Sequence, residues 1–296
     1  MTMENPSQIF MRRLGIFLCF WLFGLLTTAV IIGVLGIKLD MNSAPVLRVM
    51  TVIQDILVFI TPVAATAVLI SRKPLAFLGL DRGIKTSVEG LMLVTLVTSI
   101  PMMNAIVEWN LSLSLPESMS SIEEWIKGSE ERSAKMVETM LSGTSVKDLI
   151  VSILIVGVLT GLGEELFFRG MLQRILADRL NIHAAIWVTA IIFSAAHFQF
   201  YGFVPRMLLG GFFGYLAWWG RSLWLPVIAH AFNNSLVVAA RWSISRGNAG
   251  FDPNKVGVGE GEAGILLASL LLTVAGIWTL YRMTCRTAVN RESDKG

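Results

Sequence analysis

The sequence predicts an all-α, polytopic membrane protein with about eight transmembrane helices around an intramembrane polar cavity. Hydrophobic residues make up 54% of the chain and charged residues only 15%, outside the range of ordinary soluble domains. The apolar residues also fall in runs of about twenty, enough at about 1.5 Å per residue to cross a hydrocarbon layer about 30 Å thick. Any one run would suit a buried soluble helix, but eight in succession leave too little polar surface to wrap them. The whole chain, 1–296, reads as a single membrane domain.

The first span, 14–36, follows Arg12 and Arg13 as a signal peptide would. Its apolar run is about twice the usual length and no small-x-small cleavage site follows, so it is expected to stay as a helix. Spans at 51–71 and 88–107 complete the first three, within 14–107. Segment 109–147 is acidic, with six Glu against four basic residues. Within it Ser121 and Glu124 read as a capping box, and Ile122, Trp125, Ile126, Met136, Val137, Met140 and Leu141 recur at near-helical spacing. Two readings stay open: an amphipathic helix or helical pair at the interface, or a solvated loop with one weak helix, since Gly128 and Ser129 interrupt the pattern. Folded against the bundle, the segment would roof a cavity below.

Spans at 149–169 or beyond, 183–201, 203–219 and 222–241 form the core helices of segment 148–245. A last span at 263–282 precedes a polar tail, 286–296, expected to fray. Trp218, Trp219 and Trp224 bracket Arg221 as an interfacial aromatic belt, and His183 reads as interfacial. Gln54 and Asp55 either enter a polar cavity or lie solvated near a membrane end. Cys19 and Cys285 suggest neither a metal clip nor a redox pair.

With the N-terminus inside, fourteen of the twenty-four basic residues fall in inner segments, which places both termini in the cytoplasm. The net charge of +3 reflects this asymmetry and gives no reason to invoke nucleic acid.

Ionisable side chains are costly in hydrocarbon, so Glu164, Glu165, His197 and His230, all inside apolar stretches, read first as a functional site. Arg169 lies four residues after Glu165, on one helical face and within reach of a salt bridge. Glu164 points about 100° away, where the arginine satisfies it less, and becomes the candidate general base. The alternative is that both acids merely end the span at the interface. His197 closes Phe193-Ser194-Ala195-Ala196-His197, and a lone histidine there is as often a packing residue. His230 and Asn234, four apart, project from one face and suit an oxyanion, or else glue helices together. Depth argues for a site: measured from the inner helix ends, Glu164 lies at about 24 Å, His197 at about 21 Å, and His230 and Asn234 at about 12 and 18 Å. Gly161, Gly163, Gly170, Gly210, Gly211 and Gly214 thin the fourth and sixth helices for close approach.

These residues carry a resemblance. E-E-x-x-x-R at Glu164, Glu165 and Arg169, F-x-x-x-H at Phe193 and His197, and H-x-x-x-N at His230 and Asn234, in consecutive spans, are similar to the CPBP intramembrane proteases. That family includes type II CAAX prenyl endopeptidases and bacteriocin-processing or abortive-infection proteins. The motifs cover roughly 145–245 and leave the first half of the chain uncovered. The resemblance implies peptide-bond hydrolysis within the membrane. Glu164 with His197 would position and deprotonate water, Glu165 with Arg169 would hold the site, and His230 with Asn234 would stabilise the oxyanion.

Zinc is the alternative cofactor, with Glu164, His197 and His230 as three ligands and an open fourth position. No H-E-x-x-H pair or cysteine cluster is present, so a metal-free glutamate mechanism is favoured. A non-hydrolytic protein of the same fold, such as a bacteriocin immunity factor or scaffold, is a second reading. A proton-coupled transporter is a third, against which the lack of a clear inverted repeat counts. The expected partners are membrane lipid and a peptide or membrane-protein substrate, in a bacterial inner membrane.

Overall fold

The computed structural model describes residues 5–40, 42–247, 255–259 and 261–293, the last eight of these as backbone only. All regular structure among them is helical. α1 (Pro6–Gly36) begins with a capping box in which Asn5 accepts from the Ser7 N–H and Gln8 accepts from the Asn5 N–H. α2 (Ala44–Ile70) and a one-turn helix, Pro74–Leu78, follow. α3 (Thr86–Thr98) and α4 (Ile100–Leu111) meet at a 44° bend. Pro101 stands in the first turn of α4, where its ring and missing N–H interrupt the hydrogen-bond ladder. α5 (Ser120–Met140), α6 (Val146–Ala177), α7 (Ile182–Ala195), α8 (Phe203–Gly220), α9 (Trp224–Ser245) and α10 (Ala263–Ser293) complete the chain.

Four of these helices, α1, α2, α6 and α10, are long and apolar enough to cross a membrane, and the α3–α4 pair makes a fifth. The expected count of about eight is therefore not reached on length and composition. α7 has only 14 residues, α8 carries Pro205 and Arg206 in its first turn, and α9 carries His230, Asn233, Asn234 and Arg241. Helices enclosed by others need not present a continuous apolar surface.

Other expectations change as well. α5 starts at Ser120 after a 3₁₀ turn, Glu117–Met119, with no side-chain cap, so the capping box at Ser121 and Glu124 does not form. Gly128 and Ser129 do not break α5, since one glycine costs a helix only about 1 kcal/mol. α10 continues as helix to Ser293 where fraying was expected, while 294–296 lie outside the described residues.

α6 is the central element. Its Phe167 ring packs on Phe17, Trp21 and Phe59, drawing in α1 and α2. Its opposite side meets α9 so closely that a Cβ on Gly161 would stand 3.1 Å from the Ala231 nitrogen. Glycine permits that approach without displacing the facing backbone. A second core of Val88, Met92, Phe213, Leu216, Leu225 and Leu280 joins α3, α8, α9 and α10.

The bundle has two unlike ends. At one, Arg13 pairs with Asp178 at 2.8 Å, Arg179 reaches Ser7, and Ser222 donates to the Arg82 carbonyl at 2.7 Å. At the other, Arg48 holds Asp148 at 3.0 Å and the Met140 carbonyl at 3.1 Å, while Glu130 of α5 accepts from the Tyr201 N–H at 2.7 Å. α5 thus folds against the bundle.

Candidate active site

Three stretches of π-helix surround the site: Asp55–Ile60 in α2, and Ile153–Thr160 and Leu166–Leu172 in α6, flanking the α-helical turn Gly161–Glu165. A π-turn packs an extra residue into the helix, rotates the side chains beyond it and leaves carbonyls open to side-chain donors. Thr160 uses one of these, donating to the Ile155 carbonyl at 3.1 Å.

Glu164 and Glu165 are both buried, at 8% and 0% exposure. Arg169, one turn on, donates through Nη1 to Glu165 Oε1 at 2.6 Å, as the spacing predicts, and through Nη2 to the Gly210 carbonyl at 2.7 Å. Its guanidinium also lies 4.7 Å from the Phe193 ring centroid and 5.6 Å from that of Phe213. A buried cation needs this degree of compensation.

His230 reaches into the same place from α9. Its Nδ1 stands 2.8 Å from Glu165 Oε1 and its Nε2 stands 3.6 Å from Glu164 Oε2. Because Glu165 is held as an acceptor by Arg169, Nδ1 is the donor, and Nε2 faces Glu164. The ring is fixed between Phe193 and Phe213, with centroids 5.8 and 5.1 Å away.

His197 lies beyond the C-terminus of α7, in the turn 196–198, and not deep in a span as expected. Its Nδ1 stands 2.8 Å from the Phe193 carbonyl, and its ring centroid lies 5.1 Å from that of Phe193. Asn234, one turn after His230, donates through Nδ2 to the Val156 carbonyl of α6 at 3.2 Å.

Sequence reasoning missed or undervalued two residues near the site. Asp55, for which a solvated place at a membrane end was one expectation, is buried to 1% exposure and accepts from the Thr160 hydroxyl at 2.7 Å, close enough to Glu164 for their charges to interact. Thr160 precedes Glu164 by one turn, so this pair adjoins the candidate base. Arg206, in the first turn of α8, donates to Gln199 at 2.6 Å and interacts with the charges of Glu164 and His197. Proximity in sequence gave no signal for either; each is brought in by another helix.

Among the described residues no group of three His, Cys, Asp or Glu side chains converges as a metal ion requires, and catalytic zinc takes three protein ligands.

Residues 146–236 match the family model described as type II CAAX prenyl endopeptidase Rce1-like. The matched segment runs from the start of α6 into α9 and holds Glu164, Glu165, Arg169, His197, His230 and Asn234. With its long apolar helices, the chain is an integral membrane protein with an Rce1-like central segment, consistent with the CPBP resemblance. No curated protein and no solved structure matches it.

Proposed function

We propose that the chain is an intramembrane endopeptidase that hydrolyses a peptide bond of a membrane-associated protein or peptide. The observation that carries this reading is the His230 ring set between two buried glutamates, one of which is neutralised by Arg169. That arrangement divides the acids. Glu165 spends its charge on Arg169 and on orienting the imidazole, while Glu164 is left for proton transfer.

In the proposed step, Glu164 takes a proton from a water molecule positioned with His197, and the water oxygen attacks the scissile carbonyl carbon. The carbonyl electron pair becomes an oxyanion, which His230 and the second amide hydrogen of Asn234 stabilise. Collapse breaks the C–N bond, and Glu164 returns its proton to the leaving amine. Arg169 and Glu165 hold His230 in the required orientation throughout. No step calls for a metal.

The eight-span arrangement around a water-accessible cavity, a bacterial inner membrane and cytoplasmic termini belong to the same proposal. Support for the orientation comes from Arg13, Arg82, Arg174, Arg179 and Arg221, gathered at one end of the bundle.

The test compares the membrane peptide pool of cells carrying the wild type with that of cells carrying Glu164→Gln. New termini in one or a few membrane proteins, absent from the variant, are the expected result. A folded Glu164→Gln protein that produces the same termini overturns the reading.

A further inference from the structure

A second site lies behind the first, at the arginine-rich end of the bundle. A cavity of about 230 Å³ opens there between the 79–82 loop, α6 and the α8–α9 turn, and three arginines, Arg82, Arg174 and Arg221, line it. Arg169, which holds Glu165, closes its inner wall. Arg174 and Arg82 are near enough for their like charges to interact, and Asp81 is the acid that opposes them, at 4.0 Å from Arg82 Nε. Buried N–H groups at Arg174 Nε and Arg169 Nε meet no acceptor among the described residues.

The backbone is built to keep these charges together. Gly79 takes φ of +77°, and a Cβ there would stand 2.7 Å from Arg174 Nη2, so glycine leaves room for the guanidinium. The Gly79 carbonyl accepts from the Leu223 N–H at 2.9 Å, the Arg82 carbonyl accepts from Ser222, and Trp224 Nε1 donates to the Leu80 carbonyl at 3.0 Å. These bonds clamp the Arg82 loop to the Arg221 turn. Arg221 itself occupies the left-handed position that ends α8, with φ of +48°, where glycine is the unstrained choice. Trp218 lines the cavity with half its surface exposed, and Trp224 is exposed beside it, a belt that belongs at headgroup depth.

We propose that this pocket binds a phosphate group carried by the headgroup of an anionic membrane lipid. Converging guanidinium groups match phosphate oxygens through paired N–H donors, and the tryptophans set the depth at which lipid phosphates lie. The site is independent of proteolysis and is tested without it.

The experiment measures thermal unfolding of the full chain in neutral detergent, titrated with dioctanoyl phosphatidic acid, inorganic phosphate or octanoate. Phosphatidic acid is expected to raise the melting temperature at concentrations at which octanoate does nothing, and inorganic phosphate to act only at much higher concentration. Arg82→Gln and Arg221→Gly are each expected to weaken the effect about tenfold, the loss of one charge-assisted contact. Arg221→Gly relieves the left-handed backbone as it removes the charge, and it decides the matter if Arg82→Gln folds poorly. An equal response to octanoate overturns the phosphate assignment. Inorganic phosphate as effective as the lipid overturns the lipid as its source. Undiminished binding by both folded variants overturns the pocket.

Discussion

At the scale of the residue, the two adjacent acids are predicted to fail in different ways. Glu164→Gln keeps size and removes the proton acceptor, so it should fold normally and lose about 10²–10⁴-fold or more in cleavage rate. Arg169→Ala takes away the cation that balances buried Glu165 and leaves it only the His230 N–H, which should cost about 3–5 kcal/mol of stability before any chemistry is considered. A thermal melt of each variant in detergent separates the two cases, and equal stability losses would contradict the division of labour. Asp55→Ala removes one acceptor of the Thr160 hydroxyl one turn from Glu164 and leaves it the Ile155 carbonyl, so it should cost only about 0.5–1.5 kcal/mol for the lost hydrogen bond. The Glu165–Arg169 pair was legible in the sequence because i and i+4 face each other on any helix. Asp55 and Arg206 were not, because a side chain brought in from a distant segment leaves no periodic trace.

At the scale of the element, the site depends on how closely α6 approaches α9. Gly161 faces the Ala231 backbone, where even a Cβ would stand only 3.1 Å from the Ala231 nitrogen. Gly161→Leu should push the helices apart, move His230 off Glu165, lower the melting temperature and abolish cleavage. Full activity in that variant would show that His230 is not held by this contact. Long apolar runs located α1, α2, α6 and α10, because length and hydrophobicity are local properties, but α1 and α2 begin before the expected spans and α10 runs on past its own. The π-turns in α2 and α6 were invisible, because nothing in the local apolar pattern distinguishes a π-turn from the α-helix around it. The position of His197 was misread for a similar reason. Its apolar flanks match a helix interior, but α7 ends at Ala195 and tertiary contacts hold the turn, with Phe198 at φ of +52°.

At the scale of the whole molecule, the two ends of the bundle differ in charge and in what covers them. The end with Arg13, Arg82, Arg174 and Arg221 carries no extended cover among the described residues, whereas α5 lies across the other, joined to the 199–202 turn by Glu130 and Tyr201. Reporter fusions at both termini are predicted to give cytoplasmic signals, with an insertion in 141–145 reporting from the opposite side. Termini on opposite sides would require an odd number of crossings and would contradict the proposed topology. The charge bias was readable because short basic loops set orientation. Whether 109–147 folds on the bundle was not, since an amphipathic pattern alone does not name the surface it covers.

The most direct test of the central claim is cleavage by purified protein of a membrane substrate identified by its new termini, measured for the wild type and for Glu164→Gln after both are shown to be folded, with and without exhaustive chelation. The account predicts cleavage by the wild type that survives chelation, and none by the variant. Equal cleavage by both proteins, or activity lost on chelation and restored by zinc, would contradict it.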